Sequence, residues 1–276
     1  MALIQTLDDV VNRRIQECHE TIGNRYHRSV RPVFASIDGT RPEFLGSCIL
    51  ISFSDQKFVV TAAHIIDWCD KHALHIGGTV GTQPVQMLGT IHHTSSPRGR
   101  PLDKVDAAFW NITDDAARQL GEVEFISETH FCYNRVNPTG RLYMALGYPL
   151  SRNKGSIDHE NQGVSPKAWR YTGPADDIPD IPHELGFSSD RHLFLKFDKH
   201  SSTLDGSKVS SINPKGVSGG ALIDLGNFSE ISTYEQGKEC DGRLAGMIIE
   251  KNKKYKALVA IKIEVVIRAI SQQISL

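Results

Sequence analysis

Short apolar runs that end at turn-forming residues recur along this chain. Residues 32–37 stop at Asp38-Gly39, and residues 58–61 and 107–112 are similarly short and apolar. Runs of this length, bounded by glycine, aspartate, asparagine or proline, are typical of strands rather than of helices. Their recurrence predicts an all-β domain, and 276 residues with 39% hydrophobic side chains suffice for a substantial core.

Three other segments have a different pattern. Near the start, apolar residues recur every three to four positions from Leu3 to Ile22, which predicts an amphipathic helix that packs against the β domain. Residues 264–274 return to helical spacing and predict a C-terminal helix. Residues 151–191 lack periodicity and are rich in glycine, proline, aspartate and serine, so we expect either a long surface insertion or a mobile lid.

The charge balance narrows the classes of partner. Lysine and arginine number 31 and aspartate and glutamate 32, a formal net charge of −1. Bulk attraction to nucleic acid or to an anionic membrane is therefore not expected. Lys251, Lys253, Lys254 and Lys256 nevertheless form a basic turn, which is either a solvated hairpin or a docking site for an acidic partner.

The cysteines and the N-terminus predict a cytoplasmic protein. Five cysteines are an odd number with no CxxC spacing, which favours reduced thiols over a disulfide framework or a zinc site. Charged residues interrupt the first residues where a secretory signal needs an apolar stretch, and no run approaches the length of a membrane span.

Candidate catalytic residues occur in three segments. Ser218 lies in Gly-Val-Ser-Gly-Gly, where glycines allow a sharp turn that aims the amides of Gly216 and Ser218 at one point. His64 ends Thr-Ala-Ala-His after an apolar strand, and Asp106 precedes the run 107–112. A serine hydroxyl needs an imidazole to take its proton and a carboxylate to orient that imidazole.

Each segment alone has a structural explanation: a loop, a core histidine and a turn or cap. Together, in the order histidine, aspartate, serine, they predict a catalytic triad of His64, Asp106 and Ser218. Gly216 and Ser218 are the expected oxyanion donors. No prosthetic group or cofactor is expected. A metal site around His72 and His75 is a minor alternative, and the pair His92-His93 is expected in a surface loop.

With these motifs the chain resembles the chymotrypsin/trypsin-like serine proteases, and its bacterial HtrA-like members in particular. Residues 46–51 resemble the strand before the catalytic histidine, residues 146–149 the start of the second barrel, and residues 259–261 the strand that closes the specificity pocket. The resemblance implies two antiparallel six-stranded β-barrels with the active site between them. It implies a helical extension over residues 1–28 and a protease domain over 29–276.

Within the protease domain the implied parts are a first barrel over about residues 29–125, a second over about 140–262 and a C-terminal helix over about 264–274. Val217 stands before the serine, where trypsin-like zymogens carry an aspartate that pairs with a newly cut N-terminus. Activation by such cleavage is therefore not expected. By position, Ile212 lies at the base of the pocket and Ile248, Ile249 and Val259 line its walls, which favours an apolar side chain over arginine or lysine at the cut. Glu250 is a further pocket residue that opposes this preference, and the alternative is that the isoleucines are core residues.

The sequence thus predicts a cytoplasmic serine endopeptidase that acts on protein or peptide substrates. A protease that is not secreted needs narrow specificity or gating. By analogy alone, we expect an activating partner and a role in stress or antiviral defence. The alternative is a catalytically latent module of the same fold that binds a peptide or protein.

Overall fold

A computed structural model of the chain describes most of the sequence. The described residues are 6–36, 42–78, 83–97, 99–133, 138–153, 157–158, 163–175, 185–198, 200–202, 208–210 and 212–274. They form a mostly β protein with two curled antiparallel sheets and a helix at each end. This confirms the β class, while the two closed six-stranded barrels stay a prediction.

The first sheet is built from the N-terminal half, in the order β5-β4-β1-β2-β3-β7-β6, with β8 parallel to β2. Its strands are β1 (Val30–Ser36), β2 (Pro42–Phe53), β3 (Gln56–Ala62), β4 (Ala73–Ile76), β5 (Val85–Gln86), β6 (His92–His93), β7 (Ala107–Asn111) and β8 (Ile126–Ser127).

The second sheet is built from the C-terminal half, in the order β12-β9-β16-β17-β18-β13. Its strands are β9 (Arg141–Gly147), β12 (Trp169–Pro174), β13 (His192–Lys196), β16 (Ala221–Asn227), β17 (Arg243–Asn252) and β18 (Ala257–Lys262). A bridge between Ala175 and Leu195 joins the two edge strands and curls the sheet. Two hairpins lie outside it, formed by β10 (Ile157–Asp158) with β11 (Gly163–Val164) and β14 (His200–Ser202) with β15 (Lys208–Ser210).

The expectation for residues 151–191 was wrong in part. They include the edge strand β12, which pairs with β9 along its whole length and buries Trp169 to 5% exposure. Period-two patterning is weak here because Gly173 and Pro174 end the strand and its alternate residues are only partly buried. The lid and insertion alternatives concern the rest of this segment, much of which lies outside the described residues.

The predicted N-terminal helix is α1 (Leu7–Tyr26), and Leu3 and Ile4 lie outside the described residues. Thr6 and Asp9 form a reciprocal capping box at its start. Cys18, Ile22 and Tyr26 are buried in a core cluster shared with both sheets, which agrees with the expected packing role.

The prediction that all five cysteines are reduced was wrong. Cys18 of α1 forms a disulfide with Cys240, 222 residues away, and Cys48, Cys69 and Cys132 are free. Spacing along the chain gave no signal because the partners come together only when α1 packs on the second sheet. Arg14 strengthens the same junction by donating hydrogen bonds to the carbonyls of Thr233, Lys238 and Glu239.

The remaining helices are short, apart from one at the C-terminus. They are α2 (Ala63–Ile66), α3 (Asp114–Gln119), α4 (Leu150–Asn153) and α5 (Ile263–Ile274), with 3₁₀ turns at Asp67–Asp70, Arg100–Leu102, Glu128–His130 and Ile231–Tyr234. Helix α5 agrees with the predicted C-terminal helix within one residue and buries Ile263, Val266, Ile267 and Ile270. Among the described residues, no helix is both long and apolar enough to cross a membrane.

Candidate active site

The register between β3 and β7 brings His64 and Asp106 together. The strands are antiparallel with Ala62 opposite Ala107, so the residues just beyond these two lie at the same end of the sheet. The amide of Ala63 donates to the backbone carbonyl of Asp106 at 2.9 Å, which starts α2 at that point. His64 is the second residue of α2 and Asp106 directly precedes β7.

The Asp106 carboxylate holds His64 by two hydrogen bonds. One oxygen, Oδ2, lies 2.6 Å from the imidazole Nδ1, and the other, Oδ1, accepts the backbone N–H of His64 at 2.9 Å. Such double contact fixes the ring orientation and leaves Nε2 available as a base. The side chain of Asp106 is only 12% exposed, whereas that of His64 is 42% exposed. The imidazole is therefore open to a substrate, and its orienting carboxylate is shielded.

Asp103 supports the turn that presents Asp106. Asp106 has a φ of +44°, a left-handed conformation that is unfavourable for a non-glycine residue. The Asp103 Oδ1 accepts the backbone N–H groups of Val105 (3.2 Å) and Asp106 (3.1 Å). Its Oδ2 accepts the Thr94 hydroxyl at 2.6 Å and the Arg100 guanidinium at 2.8 Å. Both oxygens of this buried carboxylate are thus used, and the strained turn is held from inside.

Arg100 links this turn to the segment that follows His64. Its guanidinium contacts Asp103 and also forms a two-nitrogen interaction with Asp67, which has an N–O distance of 2.7 Å. The hydrogen bond from Arg100 lowers the pKa of Asp67, and Asp67 in turn raises the pKa of Arg100. The ion pair therefore ties the loop before Asp106 to the 3₁₀ turn after α2.

The serine loop is anchored against the first sheet through Ser47 of β2. The backbone N–H of Ser47 donates to the Ser218 carbonyl at 2.9 Å, and its hydroxyl donates to the Gly216 carbonyl at 3.1 Å. The same hydroxyl accepts the N–H of Tyr148 at 2.9 Å. A Cβ at Gly219 would lie 1.9 Å from the Ser47 carbonyl oxygen, so only glycine fits there.

Two peptide planes aim the expected oxyanion donors. The carbonyl of Lys215 accepts the N–H of Leu150 at 2.7 Å, and the carbonyl of Val217 accepts that of Gly220 at 2.8 Å. Because a peptide unit is planar and trans, fixing each carbonyl also fixes the N–H that follows, on Gly216 and on Ser218. Among the described residues, neither of these two N–H groups has a hydrogen-bond acceptor. Both donors are therefore open to a ligand oxygen.

The Ser218 hydroxyl donates to the backbone carbonyl of Ile249 at 3.1 Å. Within the described part of the chain, no hydrogen bond joins this hydroxyl to His64. The serine, histidine and aspartate nevertheless line one cleft of about 800 Å³ between the two sheets. A serine in this state must rotate from the Ile249 carbonyl toward the imidazole before it can lose its proton.

The predicted pocket residues separate into two groups. Ile249 and Glu250 of β17 line the cleft beside Ser218. Val259 is 1% exposed and lies in a core cluster, and Ile212 packs against the core cluster that contains Val217. Ile248 is likewise buried in that second cluster. The structure therefore buries Val259 and Ile248 and leaves Ile212 partly buried against the core, while Ile249 and Glu250 of β17 supply the cleft wall.

His192 connects the second sheet to the loop that carries Asp103 and Asp106. Its Nε2 lies 2.7 Å from the carbonyl of Lys104, and its Nδ1 accepts the N–H of Ser188 at 3.0 Å. Burial lowers the pKa of His192, so the ring is kept neutral in this position. The Lys104 ammonium lies over the Phe187 ring and 3.8 Å from Glu250 across the cleft.

The candidate metal histidines His72 and His75 and the pair His92-His93 lie in the first sheet or beside it. His92 and His93 form β6 rather than a loop, and the His92 ring stacks on Phe109 at 5.4 Å. The ring of His72 packs against Trp68. Within the described residues, no group of three or more histidine, cysteine or carboxylate side chains is arranged to hold a metal ion.

Sequence reasoning missed the supports of the site. Asp103 precedes Asp106 by three residues, a spacing at which an aspartate commonly caps a local turn, and this was the one usable signal. Ser47 and Arg100 act through contacts with residues far along the chain, so no local pattern identifies them.

No protein-family model and no curated protein matches this sequence. The geometry of the cleft is therefore the basis for a functional proposal.

Proposed function

We propose that the protein is a serine endopeptidase in which Ser218, His64 and Asp106 form the catalytic triad. The observation that carries this proposal is the 2.6 Å contact between His64 Nδ1 and Asp106 Oδ2 in the cleft that also exposes Ser218. A shielded carboxylate that orients an exposed imidazole beside a serine is the arrangement that nucleophilic catalysis requires.

The proposed reaction uses each group once. His64 Nε2 takes the Ser218 proton as the serine oxygen attacks the scissile carbonyl, and later gives it to the leaving amine. Asp106 stabilises the imidazolium that forms. The open N–H groups of Gly216 and Ser218 are the donors for the tetrahedral oxyanion. Loss of one such donor typically lowers turnover by about 10²–10³-fold.

An exposed strand edge supports a peptide as substrate. β16 pairs with β17 as far as Met247, and next to it the Ile248 N–H donates to the Gly220 carbonyl while the Ile248 carbonyl accepts the Gly219 N–H. Beyond Ile248, β17 pairs with β18. The other edge of β17, from Ile249 onward, faces the cleft beside Ser218. An extended peptide can add to such an edge through main-chain hydrogen bonds.

Membership of the chymotrypsin-like proteases, with two closed barrels, is part of the proposal. Val217 is 1% exposed and packs in the core, which supports a serine loop that needs no new N-terminal amine. A cytoplasmic location stays a prediction, and the Cys18–Cys240 disulfide removes the cysteine argument for it.

The second candidate is a latent module of the same fold that binds a peptide without cutting it. The observation that favours it is the hydrogen bond from Ser218 to the Ile249 carbonyl, which holds the hydroxyl away from the imidazole. A partner that reorients Ser218 would convert this state into the active one.

Fluorophosphonate labelling tests the proposal. Purified wild type and Ser218→Ala are treated with the probe, and covalent adducts are read by intact mass. We expect an adduct on wild type alone, lost also in His64→Ala because the base is missing. Labelling of Ser218→Ala would place the nucleophile elsewhere. Absence of labelling in wild type with retained peptide binding would favour the latent module.

A further inference from the structure

Lysines line the cleft near the end of β17 and beside the serine loop. Lys251 and Lys253 line it on the β17 side, and Lys215 lines it beside the oxyanion loop. Among the described residues, no carboxylate lies within ion-pair distance of Lys215 or Lys253. The Lys251 ammonium lies 4.7 Å from the centre of the Phe197 ring.

The carboxylates in the same cleft are already engaged. Asp106 holds His64, Asp103 is bonded to Arg100, and Glu250 faces Lys104 at 3.8 Å. The chain as a whole has a formal net charge of −1, so the positive rim is a local feature and does not follow from the composition. Because the carboxylates of the cleft are paired, the lysine ammonium groups of the rim leave a local excess of positive charge, which attracts ligands of negative charge.

We propose that the substrates of this site carry acidic side chains in the segment that lies along β17, an inference that rests on the proposed peptidase function. It develops the alternative that the basic turn docks an acidic partner, and it places that docking inside the cleft. Aspartate or glutamate would pair with Lys253 on one side of the scissile bond, while Lys215 would pair with an acidic side chain near the bond itself.

Strand geometry fixes the expected positions. Ile249, whose carbonyl accepts the Ser218 hydroxyl, marks the level of the nucleophile along β17. With a rise of about 3.3 Å per residue, Lys251 lies about 7 Å farther along, and Lys253 opens the turn at residues 253–256 that follows the end of β17 at Asn252. A peptide paired with this edge would therefore present its acidic residues from about two positions beyond the cut, on the side of the scissile bond that runs toward this turn.

The test uses two neighbouring lysines as a matched pair. Lys253→Glu reverses a charge that lines the cleft, whereas Lys254→Glu reverses one in the same turn whose ammonium lies over the Tyr255 ring. The substrates are pairs of peptides that differ only in having glutamate or glutamine at the second and fourth positions from an apolar cleavage residue. One pair carries these positions before the cut, and another pair carries them after it. The measured quantity is the ratio of kcat/KM for the glutamate and glutamine peptides.

We expect wild type to prefer the glutamate peptide by about two- to fivefold per paired lysine at low salt, with a smaller ratio at high salt. Lys253→Glu and Lys215→Glu should lower this ratio toward or below one, and Lys254→Glu should leave it unchanged. A wild-type ratio of one, or an equal fall in Lys253→Glu and Lys254→Glu, would overturn the inference.

Binding to Ser218→Ala separates this inference from the peptidase proposal. Fluorescence anisotropy measures the binding of the same peptides without turnover. A preference for the glutamate peptide that disappears in Ser218→Ala/Lys253→Glu would support the selection of acidic substrates. Labelling and cleavage without glutamate preference would refute the inference and leave the peptidase intact. Preferential binding of the glutamate peptide without labelling or cleavage would support the inference and refute the peptidase proposal. Tighter binding of a single-stranded oligonucleotide than of either peptide would assign the lysine rim to nucleic acid and overturn the inference.

Discussion

Asp103→Asn separates the support of the proposed triad from the proposed triad itself. Asparagine retains one oxygen that can accept the amides of Val105 and Asp106, but its NH₂ group cannot accept from Thr94 or Arg100. The variant therefore loses a charge-assisted hydrogen bond that contributes about 1.5–3 kcal/mol and places two donors face to face. The left-handed turn at Asp106 then has a weaker anchor.

The cost in reactivity follows from that energy. If all of this free energy is lost from the positioning of Asp106 against His64, the rate of fluorophosphonate labelling falls by about 10- to 150-fold, because each 1.36 kcal/mol changes a rate tenfold. The assay is the second-order labelling rate, together with the urea midpoint and the proton resonance of the His64–Asp106 hydrogen bond. Asp114→Asn is the matched control because Asp114 is exposed and pairs with Lys57 outside the cleft.

A particular outcome would refute this reasoning. If Asp103→Asn lowered the urea midpoint while the labelling rate and the His64 resonance matched wild type, Asp103 would contribute to stability alone. An equal loss of labelling in Asp114→Asn would show a general effect of lost charge. A fall in the labelling rate of Asp103→Asn together with a changed His64 resonance would support the positioning role.

The disulfide between Cys18 and Cys240 closes most of the chain, so the double alanine variant is expected to lose about 2–4 kcal/mol of unfolding free energy; urea unfolding checks this, and reductant should weaken wild type but not the variant. Burial lowers the pKa of His192 from 6.5, so the unfolded chain binds more protons than the folded chain and stability is lost as the pH falls below that value. The thermal unfolding temperature of His192→Gln should therefore fall less steeply with acid than that of wild type. Gly216 has a φ of +96° and a Cβ there would lie 2.7 Å from the Phe44 ring, so Gly216→Ala should abolish labelling with the β circular dichroism retained, and a normal labelling rate would contradict the assigned donors.

Local patterns sufficed for the elements near the candidate site. Residues 58–61 and 107–112 were predicted as strands, and the structure has them in β3 and β7 with shifts of at most two residues at their ends. Their apolar, β-branched or aromatic side chains and the turns beside them carry that information within a few residues. The placement of His64 at the end of one strand and Asp106 at the start of the other follows from the same local signals.

The errors concern contacts between distant residues. Cys18 and Cys240 were expected as thiols because pairing depends on how α1 docks, and β12 was missed because its edge position leaves alternate residues half-buried. Val259 stays a predicted pocket residue; it lies opposite Glu250 in the pairing of β18 with β17 and is buried in the same core cluster as the cleft residue Ile249. Register across a sheet decides which face a residue takes, and no local pattern contains that register.

Ser47 shows how such long-range contacts reach the chemistry. It is fully buried, and its hydroxyl joins the Gly216 carbonyl of the serine loop to the Tyr148 amide at the start of the second half, while its carbonyl accepts the Thr61 hydroxyl in β3. Every polar atom of this one residue is used, so a shift of one sheet against the other must break a buried hydrogen bond or move the loop. Because that loop aims the Gly216 and Ser218 amides, the relative position of the two sheets sets the direction of these proposed oxyanion donors as directly as the glycines do.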